Sequence, residues 1–222
     1  MTILLGSIGV ITIVGVTLYL LFAGPNYCPE IDNMNESNPI TEFSVQIVGD
    51  SLFGADADGC ASVSTFMSLI LWLQVEDNSV PGATVIGDES IPEQYVSGDW
   101  NWTVIDGGAN DIMPHCTEND CDEVLDEIIT DSGEGLIPDL VEKAQNDGSN
   151  VILIGYYSVP KGSEYEPVIL EVEIVNDRYN EFAKANEGVY FISLKDVMSP
   201  EETPELYSCL LYTSDAADEH SC

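Results

Sequence analysis

Positive charge is what this sequence has least of. Five Lys and Arg residues stand against 40 Asp and Glu in 222, giving a formal net charge of −35 at pH 7. The first basic side chain in the whole chain is Lys143. A surface that neutralises phosphates needs clustered Lys and Arg, so nucleic acid is excluded as a partner. Anionic polymers and phosphorylated substrates are disfavoured on the same ground. Histidine is scarcer still, with His115 and His220 the two present. The acidic excess reads as a solvated face suited to saline surroundings, where charge maintains solubility and salt screens self-repulsion.

Charge of either sign is missing from residues 3–22, which are mostly Leu, Ile, Val and small residues. That length is roughly what a helix needs to cross a bilayer's hydrocarbon core, so residues 1–23 are set apart as a signal anchor or signal peptide. A basic n-region is lacking and Leu21-Phe22-Ala23-Gly24 is a poor cleavage site, which favours an uncleaved membrane anchor. With no Lys or Arg nearby, orientation is left open. Residues 24–41, rich in Pro, Asn, Glu and Ser, read as a tether.

The other end is unusual in a different way. Residues 209–219, Cys-Leu-Leu-Tyr-Thr-Ser-Asp-Ala-Ala-Asp-Glu, resemble the translation of a transposase sequencing adapter. Residues 209–222 are therefore expected to be adapter-derived, with the natural coding sequence continuing beyond residue 208. Without Asp215, Asp218 and Glu219 the balance is 37 acids against 5 bases, a net −32, so the acidic character stays. Cys209 and Cys222 drop out as well. Cys28, Cys60, Cys116 and Cys121 remain, an even set that suits two disulfides in an oxidising compartment, with three pairings open. Apolar segment and cysteines together imply export, to a periplasmic or extracellular location.

Between these ends, residues 42–208 read as one domain. Ser44–Val48, residues 102–105 and 151–154, and Val189–Ser193 are compact runs of β-formers, as expected of strands buried on both faces. Residues 61–73 fit a buried helix. Val124, Leu125, Ile128 and Ile129 follow helical spacing, with Asp120 and Glu123 as a candidate cap. Leu136, Ile137, Leu140, Val141 and Ala144 form a second stripe; Val168, Val172, Val175, Tyr179 and Phe182 form a third. Strands alternating with helices imply an α/β fold, a three-layer α/β/α sandwich around a parallel sheet. Active sites in such sheets lie beyond the carboxyl ends of the strands.

Two segments sit at such ends. Gly49-Asp50-Ser51 follows the first strand, a sharp turn that could present a serine hydroxyl to a substrate. Gly107-Gly108-Ala109-Asn110-Asp111 follows the run at 102–105, and Asp77-Asn78-Ser79-Val80-Pro81-Gly82 lies between them. In this order the three blocks resemble those of the GDSL (SGNH) hydrolases, serine esterases and lipases of flavodoxin-like fold. The resemblance implies Ser51 as nucleophile, with the Gly82 backbone N–H and the Asn110 side-chain amide as oxyanion-hole donors. Asp50, Gly108 and Asp111 are supporting residues. It also implies two-step acyl transfer to water without a cofactor, on a small ester, a lipid or an acylated sugar.

The resemblance stops before the family's last block, an Asp-x-x-His pair that activates the serine. Asp218-Glu219-His220 has the wrong spacing and lies in the adapter-like tail. The base is expected beyond residue 208, and a chain ending at residue 222 is expected to be inactive. His115 follows the Asn110 block and is given little weight as a base. His115, Cys116 and Cys121 could also be read as metal ligands, but a disulfide is preferred, and no metal is expected. Asp56-Ala57-Asp58-Gly59 is half of a calcium loop at most and reads as an acidic turn. Trp100 and Trp102 read as core packing ahead of pocket lining.

Overall fold

The structure is a computed structural model that describes residues 43–54, 64, 67–68, 74–116, 121–158 and 166–196. Five strands form one sheet: β1 (Ser44–Val48), β2 (Gln74–Asp77), β3 (Trp102–Ile105), β4 (Asn150–Gly155) and β5 (Val189–Ser193). Their order is β2-β1-β3-β4-β5 and every neighbouring pair is parallel. The central strands are buried almost end to end, as the unbroken apolar runs require.

Helices connect the strands. In chain order they are α1 (Ser51–Gly54), α2 (Ile91–Gln94), α3 (Ala109–His115), α4 (Asp122–Ile128), α5 (Leu136–Asn146) and α6 (Ile169–Ala185). Strand residues Ile105, Val151, Leu153 and Val189 share one cluster with Leu125 and Ile128 of α4, the buried stripe of α5, and Val172, Val175 and Tyr179 of α6. Val45, Ile47, Val104, Ile152 and Ile154 point the other way, into a second cluster with Phe53, Met67 and Leu194. Period-two alternation along the strands thus feeds two apolar clusters. Each large aliphatic side chain so buried contributes about 1.5–3 kcal/mol.

Three readings of the sequence need correction. The run Val189–Ser193 is not buried on both faces, since β5 lies at a sheet edge and its Tyr190 is exposed. Strand β2 was not anticipated, because its four residues Gln-Val-Glu-Asp sit at the sheet edge with alternating partial exposure and carry no apolar run. Helix α4 begins at an N-cap of Cys121 with no side-chain capping bond, so Glu123 lies in its first turn and caps nothing. The packing role read for Trp100 and Trp102 agrees with the structure, where both lie against the core clusters at the amino end of β3. Trp100 Nε1 donates to the Val96 carbonyl at 2.8 Å, and the Trp102 ring lies 5.5 Å from that of Tyr190.

Of the segment 61–73, Ser64, Met67 and Ser68 are helical. The apolar segment and tether, Cys28, Cys60, Asp120, the turn at 56–59 and the adapter-like tail lie outside the described residues. Among the described residues no helix is long and apolar enough to cross a membrane.

Candidate active site

The strand order reverses between β1 and β3, and that is where an open parallel sheet leaves a crevice beyond its carboxyl ends. The turns leaving these two strands are tied to each other. Gly49 carries no side chain because a Cβ there would sit 1.5 Å from Asp106 Oδ1. That close approach lets the Asp50 N–H donate to Asp106 Oδ1 at 3.0 Å. Gln94 of α2 braces the same turn from outside: its Oε1 accepts from the Gly49 N–H at 2.7 Å and its Nε2 donates to the Gly49 carbonyl at 3.0 Å.

Ser51, the first residue of α1, is exposed, whereas Asp50 just before it is buried. The Asp50 carboxyl collects three donors. Oδ1 accepts from the Leu52 N–H at 2.9 Å, and Oδ2 accepts from the Tyr156 hydroxyl at 2.7 Å and, more loosely, from Asn110 Nδ2 at 3.4 Å. The Tyr156 oxygen accepts from the Ala109 N–H at 3.2 Å. Its own proton therefore points at Asp50, which joins the end of β4 to the turns after β1 and β3.

Asn110 also donates to the Ala83 carbonyl at 2.9 Å. Ala83 closes a turn in which its N–H donates to the Val80 carbonyl at 3.0 Å, with Pro81 and Gly82 at the corners. Gly82 has φ +80, the conformation a type II turn demands of its third residue, and it is exposed. The turn's closing bond uses Ala83 and leaves the Gly82 N–H out of it. Asp111 fastens the same segment to α3, its two oxygens accepting from the N–H groups of Val85 and Ile86 at 2.8 and 2.9 Å. Gly108 caps α3 with φ +111.

The residues read from the sequence thus fall into two arrangements. Asp50, Asn110 and Asp111, with the turn that holds Gly82, converge beside Ser51. His115 does not join them, lying exposed in the last turn of α3. Just past it, Cys116 and Cys121 are joined as a disulfide, with Cα atoms 4.9 Å apart.

Sequence reasoning missed Asp106, Tyr156, Tyr179 and Gln94. Asp106 is wholly buried and its Oδ2 has no hydrogen-bond partner among the described residues. Burial, then the neighbouring Asp50 charge, pushes its carboxyl well above the ordinary range. Burial also raises Asp111, against the pull of its two N–H donors. Tyr179 donates to the Gly107 carbonyl at 3.0 Å. The signal that would have found Asp106 and Tyr156 is position, since each directly follows the carboxyl end of a strand.

No family model matches the chain, and no curated protein matches it in sequence. Solved structures do match its fold. A catalytic variant of an acetylxylan esterase from Geobacillus stearothermophilus superposes with a TM-score of 0.52 at 15% identity, covering 82% of this chain and 98% of the other. A protein assigned to the lipolytic G-D-S-L family from Desulfitobacterium hafniense gives 0.53 at 16% identity, over 71% and 81%. A carbohydrate esterase whose active site is described as having divergent catalytic and non-catalytic binding functions gives 0.51 at 12%, over 71% and 57%. The fold of this chain is the fold of the GDSL (SGNH) esterases and lipases.

Proposed function

We propose that the chain is an exported serine ester hydrolase in which Ser51 attacks the ester carbonyl and forms an acyl-enzyme that water then cleaves. The observation that carries this reading is the convergence of the exposed Ser51 turn, the Gly82 turn and the Asn110 amide at the β1/β3 switch point. In the resting site one Asn110 N–H is spent on Ala83, while the other reaches Asp50 at 3.4 Å, the long end of hydrogen bonding. That second N–H is available to an oxyanion, beside the backbone N–H groups of Ser51 and Gly82. Each such donor is worth about 3 kcal/mol in a tetrahedral transition state. Acyl transfer of this kind needs no cofactor.

The scheme needs a histidine oriented by a carboxylate as proton acceptor, and His115, exposed in the last turn of α3, is not that group. The assay is run on the full-length protein, with nitrophenyl acetate as substrate. Ser51→Ala is expected to abolish turnover and Asn110→Ala to lower kcat/KM by about 10²–10³-fold. Undiminished turnover in Ser51→Ala would sink the proposal.

A carbohydrate O-acetyl esterase is the second reading within the same chemistry. The likeness to an acetylxylan esterase over 98% of that chain favours it. Acetylated xylan compared with long-chain esters separates it from a lipase. A membrane-tethered binding module of the same fold would instead bind a saccharide without Ser51-dependent turnover.

A further inference from the structure

Asp106 takes no part in the acyl-transfer scheme, yet it lies beneath the turn that carries Ser51. Its side chain and that of Asp50 are both buried, and they differ in what they receive. Asp50 has three donors: the Leu52 N–H, the Tyr156 hydroxyl and the Asn110 amide. Asp106 has one, the Asp50 N–H on Oδ1, while Oδ2 has none among the described residues. A buried carboxylate is tolerable only when its lone pairs are met by donors or a cation. The groups interacting with Asp106 offer no cation: Asp50 from the turn after β1, Tyr156 from the end of β4 and Tyr179 from α6. Two full charges side by side in this setting are strongly disfavoured, and the donor count decides which acid keeps its charge.

We propose that Asp106 is held as the neutral acid, donates its proton to Asp50 in a carboxyl–carboxylate hydrogen bond, and is thereby the positioning residue of the Ser51 turn. The pair carries one negative charge, resident on Asp50. No proton leaves the pair: Oδ2–H of Asp106 is the donor, an oxygen of Asp50 the acceptor, and Oδ1 of Asp106 receives the Asp50 N–H in return. This reciprocal clasp accounts for the otherwise unmatched Oδ2 and for the glycine at 49. The shifts of its neighbours fit too. Burial, then the charge of Asp50, raises the Tyr156 phenol well above its usual range, so it remains a donor to Asp50. Ionising Asp106 would set two charges against each other and loosen the turn. Its service to Ser51 rests on the hydrolase reading; the place of the proton does not.

The test is infrared spectroscopy of the intact chain at neutral pH, with melting temperatures alongside. Exposed acids are ionised there, so a protonated-carboxyl band reports buried neutral acids. Loss of that band in Asp106→Asn, with a melting temperature near wild type, is the result expected. The Asn amide still accepts the Asp50 N–H and still donates to its carboxylate. Asp106→Ala keeps neither bond and should melt far below Asp106→Asn. A wild-type spectrum without the band, a band that survives Asp106→Asn, or equal melting of the Asn and Ala variants would overturn the proposal. Failure of the hydrolase reading would show as absent Ser51-dependent turnover with these spectra unchanged.

Discussion

At the carboxyl ends of β1 and β3, Asp50, Asp106 and Asp111 are buried, and their recorded partners are backbone and side-chain donors with no cation among them. On the flank of α6, Asp126 and Asp131 are 53% and 87% exposed and share Arg178, at 3.0 and 2.7 Å. A chain with five basic residues cannot spread cations over its acids. Most carboxylates are left to water and salt, Arg178 is spent on a surface pair, and the buried acids are met by oriented N–H and O–H groups or held neutral. Such donors are fixed by the fold and unscreened by salt, whereas the surface pair is exposed to both screening and side-chain motion.

The largest expected effect is at Asp111. Replacing it by Ala strands the N–H groups of Val85 and Ile86, and each unmet buried donor costs about 1–3 kcal/mol. A loss of about 4 kcal/mol in chemical denaturation is the expected outcome, nearly the same at low and high salt. Because Asp111 also ties the 83–86 segment to α3, the Asn110 amide should lose its setting with it. A loss below about 1 kcal/mol would mean that water replaces the carboxylate, and the contrast with the surface acids would weaken.

Next in size is a pH dependence of opposite sign to that of an ordinary ion-paired acid. The Asp106 carboxyl is raised in the folded chain, so its contribution is fully present below the unfolded value of 3.8. It is lost as pH climbs toward the raised folded value. Stability is thus expected to fall with rising pH across that window, at about 1.4 kcal/mol per unit for one proton. Asp106→Asn should remove this slope and leave the weaker one from Asp111, whose shift has the same sign. Urea midpoints of wild type and variant across the acid range measure it. A variant slope as steep as wild type would place the proton elsewhere.

How much of this was legible in the sequence follows from range. The run at 102–105 was read at the residues where β3 forms, because a strand buried on both faces declares itself by an unbroken apolar run. Val189–Ser193 was read by its β-formers, although β5 is an edge strand with one residue buried. Edge strand β2, half exposed and charged, makes no such statement. At the site, Ser51, Asp50 and Asn110 lie in short local patterns and could be read. Asp106 is a lone acid after a strand, and Tyr156 reaches Asp50 across 106 positions. Nothing near Tyr156 in sequence marks it as a donor to that carboxylate. Only the parallel order, which sets the ends of β1, β3 and β4 side by side, brings these groups together.

The smallest effect expected is at Arg178, and salt is what gives it meaning. Its Nη1 donates both to Asp126 and, at 2.8 Å, to the Ile129 carbonyl, while Nε reaches Asp131. Arg178→Ala therefore removes two exposed ion pairs, worth at most about 1 kcal/mol each, and one carbonyl bond worth about 1 kcal/mol. The ion-pair share should fade as the Debye length shrinks to about 3 Å in molar salt, and the carbonyl share should persist. Salt also screens the self-repulsion of a chain at −35, which raises wild type and variant alike. Melting temperatures of Arg178→Ala and wild type should thus draw closer as salt rises, while the gap between Asp111→Ala and wild type stays open. If the Asp111 gap closed as well, the buried acids would be reached by solvent ions, and burial would no longer separate the two sets.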